Sequence, residues 1–578
     1  MRSARSGLLA VFVAACAAAL ITFQPTRDPD TWWHLATGRL ALATRSTLPT
    51  DPFSFSFYGA AWRYKDLVAD GLIWLAYRGG GFVGLWLGAA VAGAAMALGF
   101  SLVTRRTLPI LVALAVTLPL LPWAMRPNLL SLALFPTLLA LIQRRRSALP
   151  LVVVSWLWII LHRAALLGYV LLLGRAVQLA LARLCARRPR LSLVAGAPPS
   201  SRELVEAAVA AVVAPLVGLV NPAGRAAFTS AVDVAGSAVL RVYIAEWKQL
   251  GLGALANWSG ALGGVALAVV VARLVVAVRH HERAPRPALD SWHLGLLTLF
   301  ALLSTQSVRW LPYLTLASAL VLVIAVDEVA PRLPRPRALA ATMLTIVIIA
   351  AGAGWARHGA ALALGEERAV EPADALDFAR AHRLDGPLVH SYEFGGYLLW
   401  RGVPVLVDGR LDQLYPPAFV ATCIQAERNP RFLAQLPLEN AAWAIGSNGD
   451  ARFTHRYLFA DPRWMMVYWS DAASVYVVRA AHPELASLAF GAIDPAAPER
   501  SAAAAARSGD AARIGQALGE LRRMVTASPT SIRANSALAI LFHLIGRSAE
   551  RDVVMRVLHA VAPDHPAIRE LDRRFGAH

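Results

Sequence analysis

Residues 7–42 read "GLLAVFVAACAAALITFQPTRDPDTWWHLATGRLAL", and the change of character half-way along this stretch decides the fold. Residues 7–23 are an apolar run behind Arg2 and Arg5, close to the length a helix needs to cross a bilayer core. Taken alone, such a run reads equally as a cleavable leader. The remainder of the chain decides for a retained helix, because ten more apolar runs follow and a secreted soluble protein would not carry them. Of the 578 residues 57% are hydrophobic and 16% charged, and the mean hydropathy is +0.51. A water-exposed surface does not tolerate those values.

Eleven spans are expected, at about 8–24, 81–103, 108–124, 128–143, 149–162, 164–182, 204–221, 258–279, 291–306, 309–326 and 338–356. The formal net charge of +19 would suit a nucleic-acid partner if the arginines lay on one folded face. They lie instead in short clusters between apolar runs: Arg105 and Arg106, Arg144 to Arg146, Arg183 to Arg190, Arg279 to Arg286, and Arg332 to Arg337. Each cluster follows an even-numbered span, which places the N-terminus in the cytoplasm and the C-terminus outside, with no nucleic acid involved. The partners implied by composition are membrane lipids. Cys16, Cys185 and Cys423 form no disulfide framework and belong to no zinc motif.

The expected fold is an α-helical polytopic membrane protein of about eleven transmembrane helices, followed by an extracytoplasmic α/β domain and a helical tail. The transmembrane domain covers 1–356, with a first outer loop at 25–80 and a second at 222–257; the α/β domain covers 357–480 and the tail 481–578. In the first loop, "DPDTWWHLATGRLALA" predicts a helix with Asp30 as N-cap and with Trp32, Trp33, Leu35, Leu40 and Leu42 resting in the headgroup layer. "AWRYKDLVADGLIWLAY", from Ala61, predicts a second amphipathic helix running into the next span. In the tail, "PLVHS" and "VPVLVDG" read as short buried strands, and "RWMMVYWSDAASVYVVR" as a hairpin turning at "SDAA". Beyond 481 the composition turns to Ala-rich helices. Pro529 and Pro563 stand 34 residues apart, with Ala539 and Gly546 between them, the spacing of one tetratricopeptide-like unit and at most one and a half helical hairpins.

The chemistry-bearing residues gather at the outer ends of spans. Asp28 and Asp30, one residue apart, could hold a divalent cation (Mg, Mn or Ca) or divide the work of a general base and its orienting partner; a turn with a helix cap and a solvated carboxylate is the plain alternative. His34 follows one turn later on the same helical face. His162, next to Arg163 at a membrane boundary, either takes part in chemistry or pairs with a loop carboxylate such as Glu246. Arg126, Arg163 and Arg309 stand where the positive-inside rule does not favour cations, so they are candidates to hold a phosphate; Arg309, in "TQSVRWLPY", stands out, with snorkelling beside Trp310 as the alternative. No P-loop or GxGxxG pattern is present, so nothing supports a nucleotide donor.

"DPDTWWHLATGR" followed by "LPTDPFSFSFYGAAW", with "RPNLLS" at Arg126, "LVNPAG" at Asn221, "EW" at Glu246 and Trp247, and "YEFGGYLLW" before "VDGR", resembles the GT-C superfamily of integral-membrane glycosyltransferases. Within it, the likeness is to bacterial proteins grouped with dolichyl-phosphate-mannose-type and lipid-A-modifying transferases, and it covers residues 1 to about 480. The chain departs from that pattern at Ile160 and Arg163, which flank His162, and at Asp66 and Asp70, where a glutamate is usual. The resemblance implies a bacterial cytoplasmic-membrane enzyme that transfers a hexosyl or pentosyl group from a prenyl-phosphate-linked donor to an envelope acceptor. Asp28 and Asp30 would be catalytic; Arg126, Arg163 and Arg309 would hold the lipid phosphate. His34, His162, Glu246, Trp247, Tyr392, Glu393, Tyr397, Asp408 and Arg410 would contact the acceptor or substrate, the alternative for the tail residues being a glycine-punctuated core in which an Asp–Arg pair pins a turn. The competing reading is a non-catalytic membrane protein, a transporter or an envelope assembly factor, whose helical tail binds a protein partner.

Overall fold

The computed structural model describes residues 2–63, 66–249, 251–280, 288–356, 363–449, 455, 457–563 and 565–576. Residues 281–287 of the fourth arginine cluster, and Tyr64 and Lys65 of the second loop helix, lie outside the described residues. The chain divides into two compact units.

Unit 1 comprises residues 1–49, 61–365 and 412–414. Its helices are α1 (Arg2–Thr22), α2 (Pro29–Thr44), α3 (Leu67–Ser101), α4 (Thr107–Thr117), α5 (Pro127–Gln143), α6 (Ala148–Leu161), α7 (Leu166–Leu184), α8 (Pro189–Ala195), α9 (Ser201–Gly218), α10 (Ala226–Gly236), α11 (Ala238–Tyr243), α12 (Trp258–Arg279), α13 (Ser291–Gln306), α14 (Leu311–Val329) and α15 (Pro336–Ala356). All eleven expected spans coincide with helices. Among the described residues five stretches are long and apolar enough to cross a membrane, namely Leu67–Ser101, Arg163–Arg187, Trp258–Arg279, Val308–Arg332 and Pro336–Ala353, and the others are shorter apolar helices. Unit 1 also turns large apolar side chains outward, among them Phe12, Val91, Leu149, Leu173, Val212 and Ile349. A surface of that kind is stable against lipid and not against water, which makes the chain multi-pass.

The centre of unit 1 is aromatic. Phe135 of α5 meets Trp158 of α6, Phe300 of α13 and Tyr313 of α14 edge-on, at ring-centroid distances of 5.8, 5.4 and 5.2 Å. Each such pair contributes roughly 0.5–1.5 kcal/mol beyond its burial. Small residues bring backbones together elsewhere: a Cβ built on Gly93 of α3 would sit 2.6 Å from Ala18 of α1. The expected second loop helix and the second span form one element, α3, which changes direction at Gly81 (φ 56°). Only a residue without a Cβ takes that conformation freely.

Unit 2 comprises residues 50–60, 366–411 and 415–578. Its helices are α16 (Ala373–Ala381), α17 (Gly395–Trp400), α18 (Pro417–Ala426), α19 (Pro430–Leu433), α20 (Tyr457–Ala460), α21 (Pro498–Arg507), α22 (Ala511–Ala527), α23 (Ile532–Leu544), α24 (Ser548–Val561) and α25 (Pro566–Phe575). Strands β1 (Leu388–His390), β2 (Trp443–Ser447), β3 (Trp464–Trp469) and β4 (Ala473–Val478) form a sheet in the order β1-β2-β4-β3. β1 runs parallel to β2, with Val389 opposite Ala444, and the other pairings are antiparallel.

Four expectations need correcting here. "VPVLVDG" is not a strand, because Pro404 has no N–H for a ladder and Val405 bridges only to Ser54. β2 was not foreseen. The boundary at 481 separates no compact bodies: Val389, Met466 and Tyr476 of the sheet share one core with Ala502, Leu521, Leu538 and Leu558 of the tail helices. The tail holds five helices rather than one and a half hairpins, because α21, α22, α24 and α25 each bury a face against α23.

Candidate functional site

Helix α2 begins two residues earlier than the sequence suggests. Asp28, not Asp30, is its N-cap, accepting the Asp30 N–H at 3.0 Å, because Pro29 fits N1, where a missing N–H costs nothing. Asp30 is left in the first turn, where its Oδ1 accepts the Trp33 indole N–H at 3.1 Å. The tryptophans of α2, Trp32 and Trp33, are covered by protein. Thr31 to Gly38 are all buried inside unit 1, because α2 packs closely on α3.

That close packing depends on Gly38, where a Cβ would lie 2.1 Å from the Asp70 carbonyl oxygen. One turn before it, His34 Nδ1 meets the Asp70 carboxylate at 2.6 Å, with both side chains buried. Burial pushes His34 down to about 4, more than Asp66 and Asp30 can offset, so its ring is neutral at ordinary pH. The partner of its Nδ1 is thus a carboxyl on α3. Among the described residues no three His, Cys, Asp or Glu side chains gather as a cation site.

Around the start of α2 the structure assembles a charged cluster within unit 1. Arg126, the residue before α5, places Nη1 2.9 Å from Asp30 and 3.6 Å from Asp28, and its Nη2 donates to Glu246. Glu246, in a tight turn spanning Ala245–Trp247, also faces Arg309 at 3.8 Å. The Ser307 hydroxyl fastens this turn by donating to the Glu246 carbonyl at 2.8 Å. Arg309 lies over the Trp247 ring, 4.9 Å from its centroid, rather than snorkelling beside Trp310. It also reaches His162 Nε2 at 3.4 Å. His162 therefore neighbours a guanidinium rather than pairing with Glu246, and its buried Nδ1 has no hydrogen-bond partner. The charge of Arg163 is felt by both His162 and Arg309.

Three carboxylates thus face two guanidinium groups in a partly enclosed space. Burial raises Asp28 above the usual carboxylate range, with Arg126 offsetting part of the rise and Glu246 adding to it. Asp30 is raised by burial and then by the Asp28 charge. For Glu246, burial alone would act upward, but Arg126 and Arg309 outweigh it and hold the group below the usual range. The environment thus separates one firmly ionised carboxylate from two that keep a proton more readily, the division that acid–base chemistry uses.

An open cavity of about 240 Å³ adjoins the cluster. Its walls are mostly apolar, with Phe82, Leu85, Trp86, Leu121 and Trp123 among them, and Asp28 is part of its lining. Two more polar groups line it with buried atoms that have no partner, Gln24 Oε1 and Thr31 Oγ1. Sequence reading missed both; the only signal was position, directly after α1 and directly after Asp30.

The remaining expected site residues lie in unit 2 and have partners there. Asp408 and Arg410, expected to contact the acceptor, are fully buried. Arg410 donates Nε and Nη2 to Asp408 at 2.8 and 2.7 Å and Nη1 to Asp51 at 2.5 Å, and Tyr415 donates to Asp408 at 2.7 Å. Burial acts upward on Asp408, but Arg410 outweighs it and holds the carboxyl below the usual range. This cluster ties "TDPFSFSF" to "VDGR" and has no face left for an acceptor. The Tyr397 ring is buried too, its hydroxyl donating to Glu366 at 2.8 Å and accepting from Arg401 at 2.5 Å. Gly395 sits where a Cβ would meet the Val407 carbonyl at 2.1 Å, so α17 presses on the chain just before Asp408. Tyr392 and Glu393 are half-buried, and the Tyr392 N–H donates to Glu427 at 2.5 Å.

The solved structures to which the chain is similar include two membrane enzymes. One is the oligosaccharyltransferase of Archaeoglobus fulgidus in complex with Zn and sulfate, 12% identical over 81% of this chain and 73% of that one, with a TM-score of 0.48. The other is ArnT from Cupriavidus metallidurans bound to undecaprenyl phosphate, 14% identical over 84% of this chain and 98% of that one, with a TM-score of 0.44. No family model matches the chain, and no curated protein does.

Proposed function

We propose that the chain is an integral-membrane glycosyltransferase of the GT-C type, moving a sugar from a prenyl-phosphate donor to an envelope acceptor at the outer face of a bacterial cytoplasmic membrane. The observation that carries this reading is a carboxylate–guanidinium cluster next to an apolar cavity whose own lining includes one of the two raised carboxyls. The apolar walls suit a prenyl chain, and Arg126 and Arg309 suit the phosphate that joins it to the sugar. A phosphate arriving at Arg126 displaces a carboxylate from it. One of the two aspartates can meet that displacement by taking a proton, since burial raises both, while the other stays ionised as the base.

In the reaction the acceptor hydroxyl gives its proton to Asp28 or Asp30 as its oxygen bonds to the anomeric carbon. The bond from that carbon to the phosphate oxygen breaks, and the electron pair leaves with the lipid phosphate, whose charge the arginines stabilise. A divalent cation would take Asp28 and Asp30 as ligands. The donor set fits poorly, because Arg126 already faces both carboxylates and among the described residues no third ligand joins them.

One observation favours the non-catalytic reading. Val553, Val557 and Val561 are exposed at four-residue spacing along α24, a stripe suited to a protein partner. The two readings separate on prenyl-phosphate release from a panel of prenyl-phosphate sugars by the purified protein in nanodiscs. Release that Asp28→Asn or Asp30→Asn lowers by about a hundred-fold or more supports the transferase. No release from any donor, together with capture of envelope proteins lost on Val557→Asp, sinks it.

A further inference from the structure

We propose that unit 1 carries a second anion site, at the end of its helices away from the carboxylate cluster, which holds the phosphate of an anionic phospholipid. It does not depend on the transferase reading, only on the chain being multi-pass. Arg126 precedes α5 and Arg144 to Arg146 follow it. The 17 residues of α5 span about 25 Å at 1.5 Å per residue, close to the ~30 Å of a bilayer core. One helix therefore separates two arginine-bearing sites by the thickness of a membrane.

The second site is a cavity of about 460 Å³ lined by Arg144, Arg145, Arg146, Ser147, Arg202, Glu203 and Glu206, without an apolar residue among them. Its carboxylates are already engaged. Glu206 accepts the Ala148 N–H at 2.7 Å, capping α6. Glu203 closes the capping box of α9 with Ser200 and faces Arg145 at 3.5 Å. Arg145 also donates to the Ala197 carbonyl at 2.7 Å. Arg202 has only a 3.7 Å contact with Glu206 and is 85% exposed. Neither Arg144 nor Arg146 has a carboxylate partner among the described residues. Four arginines against two glutamates leave two positive charges unbalanced, enough for a phosphodiester and more.

A second observation lies beneath this basin. A crevice of about 20 Å³, large enough for roughly one water, is lined by Arg145, Arg146 and Glu203 of the basin and by Arg175 of α7. Arg175 is 6% exposed, and its buried Nε has no hydrogen-bond partner. An oxygen entering from the basin would give this donor the partner it lacks.

The apolar surroundings favour a phospholipid over a soluble phosphate. α6 and α9 pack side by side, and each turns aliphatic side chains outward just beyond the basin: Leu149 and Val153 on α6, Val205 and Val209 on α9. A headgroup seated on the arginines finds continuous apolar surface for its acyl chains.

The test is lipid retention by the full-length protein, measured by native mass spectrometry after reconstitution in mixed phosphatidylglycerol and phosphatidylcholine. Wild type is expected to keep phosphatidylglycerol selectively. Arg144→Gln/Arg146→Gln/Arg202→Gln is expected to lose that preference by about a hundred-fold, at roughly one kcal/mol per arginine. Equal retention of the two lipids by wild type, or undiminished preference in the triple variant, overturns the proposal. Should the triple variant not fold, a salt titration of wild type decides: retention must fall as ionic strength rises, and salt-independent retention overturns it. Displacement of phosphatidylglycerol by inorganic phosphate at equal molarity would assign the basin to a soluble anion, and the phospholipid proposal would fall.

Discussion

Replacing Arg410 with methionine removes a cation from a buried cluster of two carboxylates and a phenol. Arg410, Asp51 and Asp408 are all fully buried, and the arginine supplies four side-chain hydrogen bonds, two to Asp408, one to Asp51 and one to Tyr415. Arg410→Met leaves both carboxylates unpaired, a change that costs about 3–5 kcal/mol in buried pairs. Asp51→Asn should cost less, because Arg410 and Asp408 remain a neutral pair and only the turn contacts to Phe53 and Ser54 are weakened. The order, and not only the size, is therefore fixed by charge balance. Native-state hydrogen exchange reads it locally, through the N–H groups of Asp51, Phe55 and Val405, which donate to Ala60, Val405 and Phe53. Protection there should fall by about two to four orders of magnitude in Arg410→Met and by roughly one order in Asp51→Asn. Acid should imitate the arginine variant. Asp408 is depressed when folded, so its contribution is complete above its unfolded value and is lost as pH falls below ~4 toward the folded one. Protection unchanged in Arg410→Met, or Asp51→Asn as damaging as Arg410→Met, would refute the reasoning.

Two further outcomes follow from the candidate site. Gly38→Ala places a methyl 2.1 Å from the Asp70 carbonyl, so α2 and α3 must separate and the His34–Asp70 bond must break; a loss of about 1–3 kcal/mol should accompany loss of activity, and a thermal midpoint equal to wild type would show that α2 is not held by that approach. Glu246→Gln removes a negative charge that raises both Asp28 and Asp30, so both should titrate lower and the acid limb of the pH–rate profile should move to lower pH, whereas a limb moving upward would mean that the glutamine weakens Arg126 more than it relieves the aspartates.

The long helices of unit 1 were legible because each is an apolar run whose length the bilayer fixes, whereas the short helices α8, α10 and α11 were not expected. What the runs hid is how the helices meet. Nothing local to "DGLIW" says that Asp70 will find His34, since a single glycine, Gly38, lets the two backbones touch. "VPVLVDG" misled because its alternation is that of a strand, while its partner is the short segment 50–60, far earlier in the chain. Arg126, Glu246 and Arg309 were each conspicuous as charges at span ends. Their assembly around Asp28 and Asp30 was not, because it depends on the fold of the loop that presents Glu246 and Trp247. Asp408 and Arg410 read as a binding pair because a charged pair beside glycines looks the same whether it faces solvent or is sealed.

The contribution of residues 50–60 to unit 2 also sets a clock on the making of the protein. Ser56 donates to the carbonyl of Leu406, 350 residues later, and Asp51 waits for an arginine 359 residues on. At a synthesis rate of 5–20 residues per second the segment spends about 20–70 s without its partner. Through that interval Phe57, which finally packs on Tyr415 and Phe419, has no core to enter. A newly made chain therefore carries an unpaired, aromatic-rich strip until its last third emerges, and truncation anywhere before Asp408 leaves that strip permanently open to other chains.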